Sequence, residues 1–100
     1  MTNFPDIRVE VLVDGPLVPR VVALAEAADV QQYMLLATQG GRGRNGRWRR
    51  DEVTGTTAKQ LFVAIMTPAQ AVALSAALSP LVDALDLLVI TSPAASSTTP

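Results

Sequence analysis

Apolar residues Ile7, Val9, Val11 and Val13 alternate with Arg8, Glu10 and Asp14, and only Leu12 is out of step. A period of two predicts a strand with one buried face. Asp14-Gly15-Pro16 predicts a turn, and Pro19 fits an early helical position, where its missing N–H does no harm. Leu17, Val21, Leu24 and Ala28 recur at helical spacing while Arg20 and Glu26 can face solvent, so a helix is expected to run to about Asp29. Tyr33 to Gln39 reads as a second strand. At Gly40 regular structure is expected to give way to a long loop over 40–58, and loops of that length tend to be functional or disordered. Leu61 to Met66 reads as a third strand. Thr67 can cap a second helix with Pro68 at its first position, running through Ala71, Val72, Ser75 and Ala76 to about Ser79-Pro80. Leu87 to Ile90 reads as the last strand, and the polar run 92–100 as a disordered tail.

The order strand, helix, strand, loop, strand, helix, strand predicts one α+β domain over 1–91. It would be a ferredoxin-like βαββαβ sandwich with both helices on one face of a four-stranded antiparallel sheet. The other face carries the more telling signal. Leu61, Val63 and Ile65 alternate with Phe62, Ala64 and Met66, and Leu87 and Val89 with Leu88 and Ile90, so both faces of these strands are apolar. Leaving that face in water would forfeit about 25 cal/mol per Å² of apolar area and invite aggregation. A closed homo-oligomer is therefore expected, one copy covering another.

Composition narrows the chemistry. Hydrophobic residues make up 49% of the 100 residues and charged residues 17%, which suits a globular core. The absence of cysteine and histidine removes thiolate and imidazole metal sites, cysteine nucleophiles, Ser-His-Asp triads and disulfides. Neither a basic start nor an apolar run precedes Ile7, so no secretory signal is read and a cytoplasmic location is expected. Gln60 to Val82 carries no formal charge and is long enough to span a bilayer, but Thr67-Pro68 divides it into a strand-like and a helical piece, and no transmembrane segment is expected.

The net charge of -1 conceals a cluster: Arg42, Arg44, Arg47, Arg49 and Arg50 fall within nine positions, beside the single tryptophan, Trp48. Gly40, Gly41 and Gly43 can take positive φ, which would let successive backbone N–H groups converge on an anion, while Arg42 and Arg44 can grip a phosphate. The spacing fits neither a Walker A loop nor a dinucleotide-binding fingerprint. The bland alternative is a solvated hairpin with ordinary surface arginines. Trp48 among the arginines argues against it, since an exposed tryptophan suits docking on a partner or stacking on a base. Lys59, the only lysine, reads as a gatekeeper before an apolar strand, and Asp83 and Asp86 as solvated or weakly paired.

Ala23-Leu-Ala-Glu-Ala27 ahead of a strand, and Gly41-Arg42-Gly43-Arg44 at the base of a long loop, resemble the PII signalling proteins over about Ile7 to Thr91. These are trimeric ferredoxin-like sensors that bind adenine nucleotides in clefts between subunits. The resemblance implies a homotrimer without catalytic residues, a nucleotide site formed by Thr38, Gln39, Gly40, Gly41, Arg42, Gly43, Arg44 and Asn45, with Ile65 near the adenine, and a partner-binding loop carrying Arg47, Trp48, Arg49 and Arg50. The departures also bear on function. Only Leu81 to Asp86 stands where the family has a glycine- and lysine-containing loop, and a basic C-terminal strand is absent, so AMP or ADP is favoured over ATP. No tyrosine lies in the loop, which removes the family's uridylylation. These losses make the chain more similar to the carbon-sensing PII-like proteins associated with bicarbonate transporters and carboxysomes, with bicarbonate as a second ligand and such a protein as partner.

Two other functions are compatible with the pattern. Arg/Gly runs beside an aromatic can track single-stranded RNA, but a sheet that reads RNA needs exposed aromatics and Phe62 stands alone on strand three. An acylphosphatase-like enzyme would use Arg44 and Asn45, but neighbours in one loop do not reproduce a distributed catalytic pair. A regulatory, non-enzymatic role is therefore expected.

Overall fold

The structure, a computed structural model, describes residues 4–49 and 58–96. Its elements are β1 (Asp6–Asp14), α1 (Val18–Ala27), β2 (Met34–Ala37), β3 (Gly40–Gly43), β4 (Gly46–Arg49), β5 (Lys59–Met66), α2 (Pro68–Leu78) and β6 (Leu88–Ala94), with 3-10 turns at Gly15–Leu17 and Ser79–Leu81. β2, β5, β1 and β6 pair antiparallel in that order, and β3 and β4 form a separate two-stranded hairpin. The expected ferredoxin-like sandwich is the observed fold.

The alternation in β1 sets the layering. Val9, Val11 and Val13 are fully buried and pair in register with Ala64, Phe62 and Gln60, so the same face of β5 turns inward. Val18, Val21 and Ala25 of α1 and Ala71, Leu74 and Leu78 of α2 close over them. The buried stripe of α1 lies on Val18, Val21 and Ala25. Leu17, Leu24 and Ala28 of the predicted stripe flank it and are partly buried, a rotation of about one position. Phe62 sits centrally with the Tyr33 ring stacked 5.4 Å away. α2 starts on the predicted cap: Gln70 N–H donates to the Thr67 hydroxyl, and the Thr67 N–H donates to the Gln70 side chain.

The reverse face of the sheet is open. Met34, Leu36, Ile65, Leu88 and Ile90 all lie there exposed, around Leu12, Leu61 and Val63. Phe62 points into the core, so the single aromatic of β5 is not presented on the open face as an RNA-reading sheet requires.

Two boundaries differ from the sequence reading. β6 runs through Ser92 and Pro93 to Ala94, three residues into the segment expected as a tail, because it is an edge strand and Pro93 has no ladder partner to lose on its open side. The first part of the expected loop is an ordered hairpin. Arg50, the remainder of that loop (51–57) and the final four residues lie outside the described residues. No helix among the described residues is long and apolar enough to cross a membrane.

Phe62→Ala should lower the unfolding free energy by about 3 to 5 kcal/mol, since it leaves a cavity at the centre of the core and removes the Tyr33 partner. Urea denaturation measures this, and a loss below about 1 kcal/mol would place Phe62 outside the core.

Candidate functional site

The site is built around the start of β5. Lys59 pairs with Asp14 across the β1–β5 ladder, and its side chain is only 8% exposed. Its ammonium donates to Asp14 Oδ1 at 2.9 Å, to Asp86 Oδ2 at 3.2 Å and to the Asp86 carbonyl at 3.4 Å. Asp86 presents both acceptors because its backbone is left-handed, φ 54°, a conformation aspartate tolerates better than most residues. Lys59 is thus the centre of an ion cluster rather than a gatekeeper, and Asp86 is structural. Burial alone would push the Lys59 ammonium down, but the two carboxylates outweigh it and hold its pKa above the ordinary 10.5. The Asp86 carboxyl is held below its ordinary 3.8, chiefly by the hydrogen bond from Lys59, with Asn45 and Arg44 adding to it.

The hairpin docks on this cluster through Trp48. The indole N–H donates to Thr38 Oγ1 at 2.8 Å, and that hydroxyl donates to the Lys59 carbonyl. The Lys59 ammonium lies 5.8 Å from the ring centroid, within cation–π range. Gly41 pairs with Trp48 and lies against the indole so closely that a Cβ there would collide with the ring. Trp48 is 6% exposed, which corrects the expectation of an outward tryptophan on the partner-binding loop: it anchors the loop to its own chain.

The expected anion nest is also corrected. Of the three glycines only Gly40 takes a positive φ, 154°; Gly41 and Gly43 are extended strand residues, so their N–H groups alternate in direction instead of converging. Arg44 and Asn45 make the turn, and Gly46 takes the positive φ, 115°, that follows it. Strand alternation sends Arg42, Arg47 and Arg49 to the face opposite Trp48, where Arg42 and Arg47 pair directly across the hairpin.

Arg44 reaches back to the body of the chain. Its Nη2 donates to Asp83 Oδ1 at 2.9 Å and to the Val82 carbonyl at 3.4 Å, while Nε lies 3.5 Å from Asp86 Oδ1. Hydrogen bonding to Asp83, then its charge, raises the Arg44 pKa further above the ordinary arginine value, so it is a permanent cation. A cleft of about 350 Å³ opens between Asn45 to Trp48, Lys59 and Ala84 to Asp86. Thr38, Gly40 to Gly43, Arg44 and Asn45 are thereby gathered at one end of the sheet, with Gln39 between β2 and β3. Ile65 is not among them. It lines a second, larger groove of about 690 Å³ with Arg8, Tyr33 and Met34, six residues along β5 from Lys59. At about 3.3 Å per residue that separation is about 20 Å.

No family model and no curated protein matches the chain. Solved structures do match in shape. CPII, a nitrogen regulatory PII-like protein from Thiomonas intermedia K12 bound to ADP, AMP and bicarbonate, superposes with a TM-score of 0.81 at 18% identity, covering 89% of this chain and 85% of that one. The fold is that of the PII-like proteins. CPII bound to ADP and bicarbonate gives a TM-score of 0.78 at 18% identity over 89% of this chain and 85% of that one. A duf3240 family protein from Shewanella baltica OS155 gives 0.73 at 15% identity over 99% and 98%.

The lowered Asp86 value means that its contribution to holding the hairpin is complete above about pH 5 and is lost as pH falls below the ordinary carboxylate range. The raised Lys59 value means the opposite at the basic end: its contribution is complete below 10.5 and is lost as pH rises beyond it. Trp48 emission should therefore stay constant from about pH 5 to pH 10 and shift to the red on either side. A steady drift through neutral pH would show that this cluster does not hold the indole.

Proposed function

We propose that the chain is a PII-like regulatory sensor of adenine nucleotides, assembled as a homotrimer and catalysing no reaction. The observation that carries this reading is the Gly-Gly-Arg-Gly hairpin, clamped by Trp48 and placing Arg44 beside a cleft on a PII-like fold. The open aliphatic face supports assembly, since burying it against other copies removes the cost of hydrating it. The separation of Ile65 from the hairpin supports a ligand site between copies. A nucleotide that uses both needs Ile65 from one chain and the hairpin from another.

In this reading the phosphates meet Arg44, with Thr38, Gln39, Gly40, Gly41, Arg42, Gly43 and Asn45 around them, and the adenine lies against Ile65. AMP and ADP are favoured over ATP, and bicarbonate is a second ligand, as CPII is bound to ADP, AMP and bicarbonate. Ligand binding at the hairpin selects one arrangement of the loop over 40–58, which presents Arg47, Arg49 and Arg50 to a protein of bicarbonate transport or of the carboxysome. Trp48 then serves as the anchor whose seating the ligand reports through. Such a switch works by binding one loop arrangement more tightly than another.

Titration with AMP, ADP, ATP and bicarbonate, followed by Trp48 emission and melting temperature, tests the proposal. ADP or AMP should raise the melting temperature, and Arg44→Ala should weaken their binding by about 1 to 3 kcal/mol, the range of a charge-assisted hydrogen bond. Absence of any response to all three nucleotides would overturn it.

A further inference from the structure

Resting on the nucleotide reading above, we propose that Asp83 is a specificity-determining residue: its carboxylate occupies Arg44 and limits how much phosphate charge the site accepts, so that nucleoside mono- and diphosphates are bound in preference to triphosphates.

Arg44 already has acceptors of its own chain. Asp83 Oδ1 at 2.9 Å and the Val82 carbonyl at 3.4 Å take Nη2, and Asp86 Oδ1 lies 3.5 Å from Nε. An incoming phosphate must displace Asp83 or bind next to it. Displacement is feasible because the Asp83 side chain is 89% exposed and pairs with a half-exposed guanidinium, the kind of surface pair that contributes little. Asp86 differs, since the buried Lys59 ammonium holds it in place. Around the cleft the charges of Arg44, Arg47 and Lys59 are set against those of Asp14, Asp83 and Asp86, so the chain's own groups here only balance before a ligand arrives. Arg42 faces Arg47 across the hairpin but does not itself line the cleft, and acts at a distance. Each added phosphate charge therefore approaches a displaced but neighbouring carboxylate, and the repulsion grows from mono- to triphosphate. Missing phosphate ligands would withhold contacts from the longer phosphate chains; a carboxylate on the gripping arginine grades the nucleotides by charge in addition.

The test measures AMP and ATP affinities by calorimetry for the full chain, for Asp83→Asn and for Asp83→Glu, at two salt concentrations. Asp83→Asn should tighten ATP about fivefold more than AMP, the scale of losing one neighbouring charge in a solvated site. The contrast should shrink at the higher salt concentration, because screening shortens the reach of the carboxylate. Asp83→Glu keeps the charge and should keep the wild-type ratio. Equal tightening of both ligands, or none, overturns the role of Asp83 while leaving nucleotide binding intact. Failure of all three proteins to bind either nucleotide instead removes the reading on which it rests.

Discussion

The buried ammonium of Lys59 fixes the geometry on which the rest of this end of the molecule depends. It stands at the first position of a central strand, joins the end of β1 through Asp14 and joins the approach to β6 through Asp86. Its carbonyl receives the Thr38 hydroxyl, which in turn receives the Trp48 indole. A charge in such a place is tolerable only when paired, and removing one member of a buried pair typically costs about 3 to 5 kcal/mol. One residue therefore determines where the hairpin sits, where Asp86 points and what Arg44 can reach. The left-handed backbone at Asp86 belongs to the same constraint, because it lets carbonyl and carboxylate face one ammonium together.

Two grades of electrostatic contact follow from that centre, and they suit different tasks. The inner contacts of Lys59 are partly shielded from water, since its own side chain is buried while those of Asp14 and Asp86 are partly exposed. The outer contacts of Arg44 with Asp83 are exposed, hence weak, and can exchange with a ligand anion at little cost. In the proposed sensor, the inner clamp would keep the base of the hairpin seated while Arg44 exchanges Asp83 for a ligand anion. Arg42 and Arg47 occupy facing register positions across the hairpin.

Much of the fold was legible because its strands alternate cleanly. Val9, Val11 and Val13 mark the buried face of β1, Thr67-Pro68 marks the start of α2, and the doubly apolar β5 and β6 announce an open aliphatic face. The site was less legible, for physical reasons. Glycine-rich segments usually read as loops because glycine has no side chain to favour extended structure, but Gly41 lacks a side chain so that the indole can lie on it. Trp48 has its partner, Thr38, ten residues away, and no local pattern reveals that bond. Lys59 and Asp86 are 27 residues apart, and only the sheet brings them together. The one available signal was register: Lys59 and Asp14 occupy equivalent ends of neighbouring strands, and an opposite-charge pair there implies a bridge.

In the proposed assembly the exposed Met34, Leu36, Ile65, Leu88 and Ile90 would meet other copies of the chain, and the separated grooves would become parts of shared sites. Everything claimed for the nucleotide depends on that association. The most direct measurement is the mass of the native protein in solution by light scattering, with and without ADP. Three copies in both conditions are required if the ligand lies between chains, and a stable, well-dispersed monomer that still binds ADP would contradict it.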